Sequence, residues 1–313
     1  MDEVNLQDLR RYGMTCKAIH QSVQAYLRRW NNIDPLLLPY VPSHRITYFR
    51  AMQKEADAII GGSTALQFMA RVRYKTSDLD IYVERKNARF LSLALEDVGC
   101  TVINRNVLHT TAGEIYDEIL TDWTKRMDDG ERNERNELGG QKTYMSRGIL
   151  AIVNFESYAK RKVQVVVTDG PPVDVVLKCH STAVMNFMTA SYAYSLYGWE
   201  TLDCGLSIYM QPYHKQVKNA KAKYERRGWC IVNASQAADL EVFVPLHRSV
   251  GDAYTWIIKL GGTGSQWIDE ENNNALNWDN GLRRVQWTLT YTASGEPVVA
   301  LDNPSAMSFV PMI

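Results

Sequence analysis

Apolar residues along this chain recur first at helical spacing and then at strand spacing, and the change of period divides it. Through Met14, Ile19, Val23, Tyr26 and Leu27, and again through Ile46, Phe49 and Met52, the interval is that of one helical face. Residues 1–56 therefore read as a helical segment whose two helices are joined by a stiff connection carrying Pro35, Pro39 and Pro42. At residues 58–60 the pattern turns to a short apolar strand, followed by a Gly61-Gly62-Ser63 turn and a helix from about residue 64 to 71. The next strand carries Asp78 and Asp80. A helix over 87–98 follows, with Asn87 in the N-cap position and Gly99 placed to stop it, and then a strand at 101–104.

The stretch 113–147 is polar, with a run of mixed charge from Asp128 to Glu137, and reads as a helix followed by a surface loop. Residues 149–155 and 163–168 are β-rich runs, 173–177 suggests another strand, and 181–194, rich in Met, Phe and Ala, reads as a buried helix. After Gly198 the character shifts. A basic helix is expected over 213–227, a strand at 242–246, irregular structure over 261–281, and a hairpin from 285–291 and 297–301 joined by Thr292-Ala293-Ser294-Gly295-Glu296. The expected class is α+β: a helical N-terminal segment (1–56), a mixed-sheet core flanked by helices (57–200) and an α+β C-terminal region (201–313).

Composition narrows the function without choosing it. The 313 residues carry 35 basic and 35 acidic side chains, so a polyanion partner would have to be met by a local patch. The first residues hold no apolar core of a secretory signal, and no apolar run approaches bilayer length, so an intracellular, cytoplasmic or nuclear, protein is expected. Cys16, Cys100, Cys179, Cys204 and Cys230 are odd in number and never spaced C-x-x-C, which argues for reduced thiols.

The chemistry concentrates in residues 59–83. Residues two apart on a strand share a face, so Asp78 and Asp80 aim at one spot. Two carboxylates held that close raise each other's pKa unless a cation lies between them, and Mg²⁺ is the natural neutraliser. Upstream, Gly61, Gly62 and Ser63 stand between an apolar strand and a helix, where backbone N–H groups can cradle phosphate. The bland alternative is that Asp78 caps a turn, Asp80 is a surface strand residue, and the glycines only relieve a tight corner.

This order of apolar strand, Gly-Gly-Ser, helix and Asp-Leu-Asp-Ile resembles the polymerase-β-like nucleotidyltransferase superfamily. The likeness covers barely thirty residues, and fourteen residues separate Ser63 from Asp78. The wider stretch, with Gly-Ser-Thr-Ala-Leu-Gln-Phe and His-Ser-Thr-Ala-Val-Met-Asn-Phe, also looks like a group of fungal proteins. The superfamily resemblance implies two Mg²⁺ ions held by Asp78 and Asp80, and a nucleoside triphosphate held at Gly61, Gly62 and Ser63. It implies transfer of a nucleoside monophosphate to a hydroxyl of RNA, protein or a small molecule. It also implies a third carboxylate on a later strand, where this chain has Gln164, which cannot act as a base. Asp174 is the preferred substitute, with Glu156 the other candidate and no third carboxylate the remaining possibility.

In the basic helix, His214, Lys218 and Lys221 fall on one face; they form either a solvated surface or, through Lys218 and Lys221, a clamp on triphosphate or nucleic acid. Gly261-Gly262-Thr263-Gly264-Ser265 lacks the Lys-Ser/Thr ending of a phosphate loop and reads as a turn. Against the transferase stand a catalytically inactive module of the same fold and an unrelated α+β interaction protein.

Overall fold

The computed structural model describes residues 6–103, 148–210, 215–233, 247–263, 285–291 and 297–301, together with 4, 113–114, 116–117, 121 and 236–237. The strand expected at 242–246, the segment joining the late hairpin, and most of 113–147 and 261–281 lie outside the described residues.

The N-terminal helices are α1 (Leu6–Gly13), α2 (Lys17–Trp30), α3 (Asp34–Leu37) and α4 (Ile46–Glu55). The chain continues as β1 (Ile59–Gly61), α5 (Gly62–Ala70), β2 (Leu79–Glu84), α6 (Arg85–Asp97) and β3 (Thr101–Val102). Then come β4 (Ile149–Glu156), β5 (Lys162–Thr168), α7 (Pro172–Leu177), β6 (Asn186–Met188) and β7 (Tyr192–Ser195). The remainder is β8 (Leu206–Ile208), α8 (Lys215–Glu225), β9 (Cys230–Val232), β10 (His247–Ser249), β11 (Trp256–Lys259), β12 (Gln286–Tyr291) and β13 (Pro297–Leu301).

An eight-stranded sheet runs in the order β11-β7-β6-β1-β2-β5-β4-β3. Its pairs are antiparallel except β2 with β5, which is parallel, so the sheet is mixed and the class is α+β. Period-2 alternation explains why β2 sits at its centre. Leu79, Ile81 and Val83 are fully buried, while Asp80, Tyr82 and Glu84 line the other face.

The buried side of β2 packs with Ile60 of β1, Val163, Val165 and Val167 of β5, Phe49 of α4 and Leu91 and Leu95 of α6. Burying each such side chain is worth about 1.5–3 kcal/mol against leaving it in water. Ile33, Leu37 and Ile46 share this core with Ile258 and Leu260. Toward the other face, Ile59, Phe187 and Tyr194 pack with Val173, Val176 and Leu177 of α7 and with Trp287 of β12. The sheet is thereby covered on both sides.

Residues 261–263 act as a clasp. The buried Arg50 donates to the Gly261 and Thr263 carbonyls at 3.3 and 3.1 Å and to the Ala190 carbonyl at 2.6 Å. The Asp34 carboxylate receives the Thr263 N–H and hydroxyl. The glycine-rich turn here therefore has a structural task.

Two expected elements are corrected. Residues 172–177 form helix α7, not a strand, because Pro172 opens a helix at its first turn and Asp174 favours the helix N-terminus there. Residues 181–194 form a 3₁₀ turn and strands β6 and β7, not a helix. Pairing with β1 overrides the local helix propensity, and the Thr189 hydroxyl accepts the Ser191 and Tyr192 N–H groups to close the turn. Helix α6 begins at Arg85, and Asn87, expected as its cap, donates instead to the Ala56 carbonyl. Gly99, at φ 89°, does follow the end of that helix. All five cysteines are free, and among the described residues no helix is long and apolar enough to cross a membrane.

Candidate active site

The corner between β1 and α5 is built so that Asp80 can reach it. In the antiparallel pair of β1 and β2, Gly61 stands opposite Asp80. Gly62 then turns the chain at φ 60°, a left-handed conformation that glycine adopts without strain. A Cβ on Gly62 would lie 2.2 Å from Oδ2 of Asp80, and one on Gly61 would lie 2.7 Å from the Tyr82 ring. Gly62 is thus needed for the carboxylate to approach the first turn of α5, and Gly61 for the Tyr82 ring to lie beside β1. Ser63, the next residue, is buried in that turn, and no side chain caps the N-terminus of the helix.

Asp78 is placed by the loop that leads into β2. The Thr64 hydroxyl donates to the Asp78 carbonyl at 2.9 Å. Gln67 donates to the Ser77 hydroxyl at 3.0 Å and accepts the Tyr74 N–H at 2.7 Å. Tyr40 donates to the Ser77 carbonyl at 2.7 Å. Each bond contributes about 1 kcal/mol net, and together they tie residues 74–78 to α5, so the glycine corner and the carboxylates move as one unit.

Two lysines answer the two carboxylates. The parallel register sets Asp80 beside Gln164 and, two residues earlier, Asp78 beside Lys162, whose Nζ is 3.8 Å from Asp78 Oδ2. From α8, Lys223 adds its charge to the fields of both Asp78 and Asp80. Burial and then the Asp78 charge nonetheless push the Asp80 carboxyl up to about 7, which Lys223 and Lys162 offset only in part. Lys223 itself is lowered, by burial first and then by Arg227, while the carboxylates pull it the other way. Arg227 lies 3.8 Å from the Tyr74 ring centroid and donates to the Thr76 carbonyl at 3.0 Å. Cys179, with its thiol pushed up to about 12 by burial and by Asp80, stands nearby. His180 packs on Tyr224 and is lowered to about 4, chiefly by burial and then by Lys223.

The structure brings Gly61, Gly62, Ser63, Asp78 and Asp80 together. Asp174 lies in the first turn of α7, where burial raises its pKa and the charge bearing on it is that of Lys178; it is not among the charges that act on Asp80. Glu156 pairs with Lys160 at 2.5 Å. Lys221 pairs with Glu225 of its own helix at 3.7 Å, and the side chain of Lys218 lies outside the described residues. Lys162 and Lys223 were missed as site residues. The signal for Lys162 was present, since it precedes Gln164 by one strand period, but only the register reveals that it faces Asp78.

Among the described residues no group of three or more His, Cys, Asp or Glu is gathered for a metal. Two carboxylates are still enough for one Mg²⁺ that arrives with phosphate, because this ion takes its remaining ligands from water and substrate. The oxygen donors and the unrelieved pressure on Asp80 fit such an ion.

No protein-family model and no curated protein matches the chain. Two solved structures are similar to it. One, "The structure of CCA-adding enzyme apo form I", has a TM-score of 0.34 and 11% identity over 68% of this chain and 47% of that chain. The other, "The complex structure of CCA-adding enzyme with CTP", has a TM-score of 0.35 and 11% identity over 68% of this chain and 48% of that chain. The chain thus spans about half the length of either, and at this identity neither says what it does. The likeness to fungal proteins finds no support among these matches.

Proposed function

We propose that this protein binds a nucleoside triphosphate with Mg²⁺ at the corner between β1 and α5 and transfers its nucleoside monophosphate to a hydroxyl acceptor. The observation that carries the reading is the contact of Asp80 with Gly62, where a Cβ would lie 2.2 Å from the carboxylate oxygen. Phosphate held by the uncapped first turn of α5, at Gly61, Gly62 and Ser63, would meet the metal carboxylates there. Mg²⁺, when bound by Asp78 and Asp80, supplies neutralisation of the charge on the reacting phosphate. Lys162 and Lys223 hold the triphosphate oxygens as point charges, Lys223 taking the part that sequence reading had assigned to Lys218 and Lys221. The acceptor oxygen bonds to the α-phosphorus as its proton passes to solvent water, the bond from that phosphorus to the bridging oxygen breaks, and pyrophosphate leaves with that electron pair.

A second reading, a nucleotide-binding module without turnover, is favoured by one observation. The residue beside Asp80 on β5 is Gln164, so no carboxylate stands there to take the proton of the acceptor. Incubation with labelled nucleoside triphosphates separates the two readings. Transfer in the wild type, lost by at least about 100-fold in Asp78→Ala with the fold intact by circular dichroism, supports the enzyme. Calorimetric binding of ATP or GTP with Mg²⁺ but no transfer to any acceptor supports the module. Absence of nucleotide binding overturns both.

A further inference from the structure

We infer that this site holds one divalent cation with its nucleotide, and that a pair of neutral amides, Gln164 and Asn154, sets that number. The inference rests on the nucleotide-binding reading above. Strand register puts Asp80, Gln164 and Asn154 in one row across β2, β5 and β4, and side chains paired in this way stand on one face of the sheet. Gln164 Nε2 donates to Asn154 Oδ1 at 2.9 Å, so the two amides are committed to each other. The place beside Asp80 from which a further ligand would come therefore offers a dipole and no charge.

The supply of anionic side chains leads to the same count. Asp78 and Asp80 serve the first ion, with Lys162 beside Asp78 and the charge of Lys223 bearing on both. A second, about 4 Å from the first, repels it and needs an anionic ligand of its own. Of the other acidic candidates, Glu156 is paired with Lys160, and Asp174, in the first turn of α7, is not among the charges that act on Asp80.

The test is a count of ions. Protein saturated with a non-hydrolysable ATP analogue is loaded with Mn²⁺ in place of Mg²⁺, desalted, and the retained manganese measured by paramagnetic resonance. One ion per wild-type complex is expected. Gln164→Glu, which keeps the side-chain shape and lets Asn154 turn its amide to donate, is expected to retain two. Two ions in the wild type overturn the inference, as does a folded Gln164→Glu that still retains one. Should that variant fail to fold, Asn154→Asp serves in its place, with the same two outcomes. Nucleotide bound with no manganese overturns the inference and leaves the nucleotide-binding reading standing; neither bound overturns both.

Discussion

Two carboxylates in this molecule meet arginine or lysine in opposite ways. Asp252 is saturated. It accepts Arg248 Nε at 2.6 Å and Nη2 at 3.1 Å, the N–H groups of Ser249, Tyr254 and Thr255, and the Thr255 hydroxyl. Burial pushes its pKa up, yet these bonds and the Arg248 charge more than offset it and leave the group lowered. Arg248 in turn lies against the rings of Tyr197, Tyr254 and Trp287. Asp80 is the reverse: among the described residues it accepts no hydrogen bond, it is pressed by burial and by Asp78, and its lysines relieve it only in part. A carboxylate that serves the fold is satisfied by the fold, whereas strain of this kind is what a bound cation would relieve.

Breaking the satisfied pair should have the larger effect on stability. Asp252→Ala leaves the buried Arg248 guanidinium uncompensated and should cost about 3 kcal/mol in urea denaturation at neutral pH. Because the folded-state pKa of Asp252 is lowered, its contribution is present above the unfolded value near 4. It fades as pH falls through the folded value, so the difference between wild type and variant should shrink in acid. A difference that stays constant to low pH would mean that packing, not charge, is what the residue supplies.

The strained group should respond with the opposite sign. The folded-state pKa of Asp80 is raised to about 7, so the folded protein holds a proton that the unfolded chain releases near pH 4. Stability falls as pH rises between these values. In metal-free protein, Asp80→Asn should therefore be more stable than wild type by on the order of 2 kcal/mol at pH 8, a value discounted for the partial exposure of the group, and equal to it near pH 4. A variant less stable than wild type at pH 8 would show that Asp80 is a structural acid after all.

The smallest effect sharpens the comparison on one helix. Lys223→Ala should weaken ATP binding about 5-fold by calorimetry, and Lys221→Ala, which breaks only the pair with Glu225, should leave it unchanged. Equal losses from both would return the basic helix to the role of a general electrostatic surface.

The elements that local pattern alone specifies were legible. Alternation in β2 and β5, the glycine stop at Gly99 and the helical period of α2 and α4 all follow from near neighbours. Residues 181–194 were not legible, because strands of three or four residues carry too little period to outweigh Met, Phe and Ala, and their pairing with β1 is a distant contact. The helix around Asp174, where a strand was expected, was not legible for a related reason. The neighbouring Val173, Val175 and Val176 suit a buried strand and a buried helix equally, and Pro172 decided for the helix.

What the amino-acid order determined by itself is that Asp80 sits on the polar face of β2 with Asp78 just before that strand, and that a glycine pair can turn a strand into a helix without strain. Both follow from backbone periods within a few residues. What only the tertiary structure decided is which side chains stand beside those acids: Gly62 against the Asp80 carboxylate, Lys162 beside Asp78, and the Gln164–Asn154 amides in the same row. That depends on strand register, across some eighty residues where β2 meets β5, settled by which faces the core can bury rather than by any local propensity.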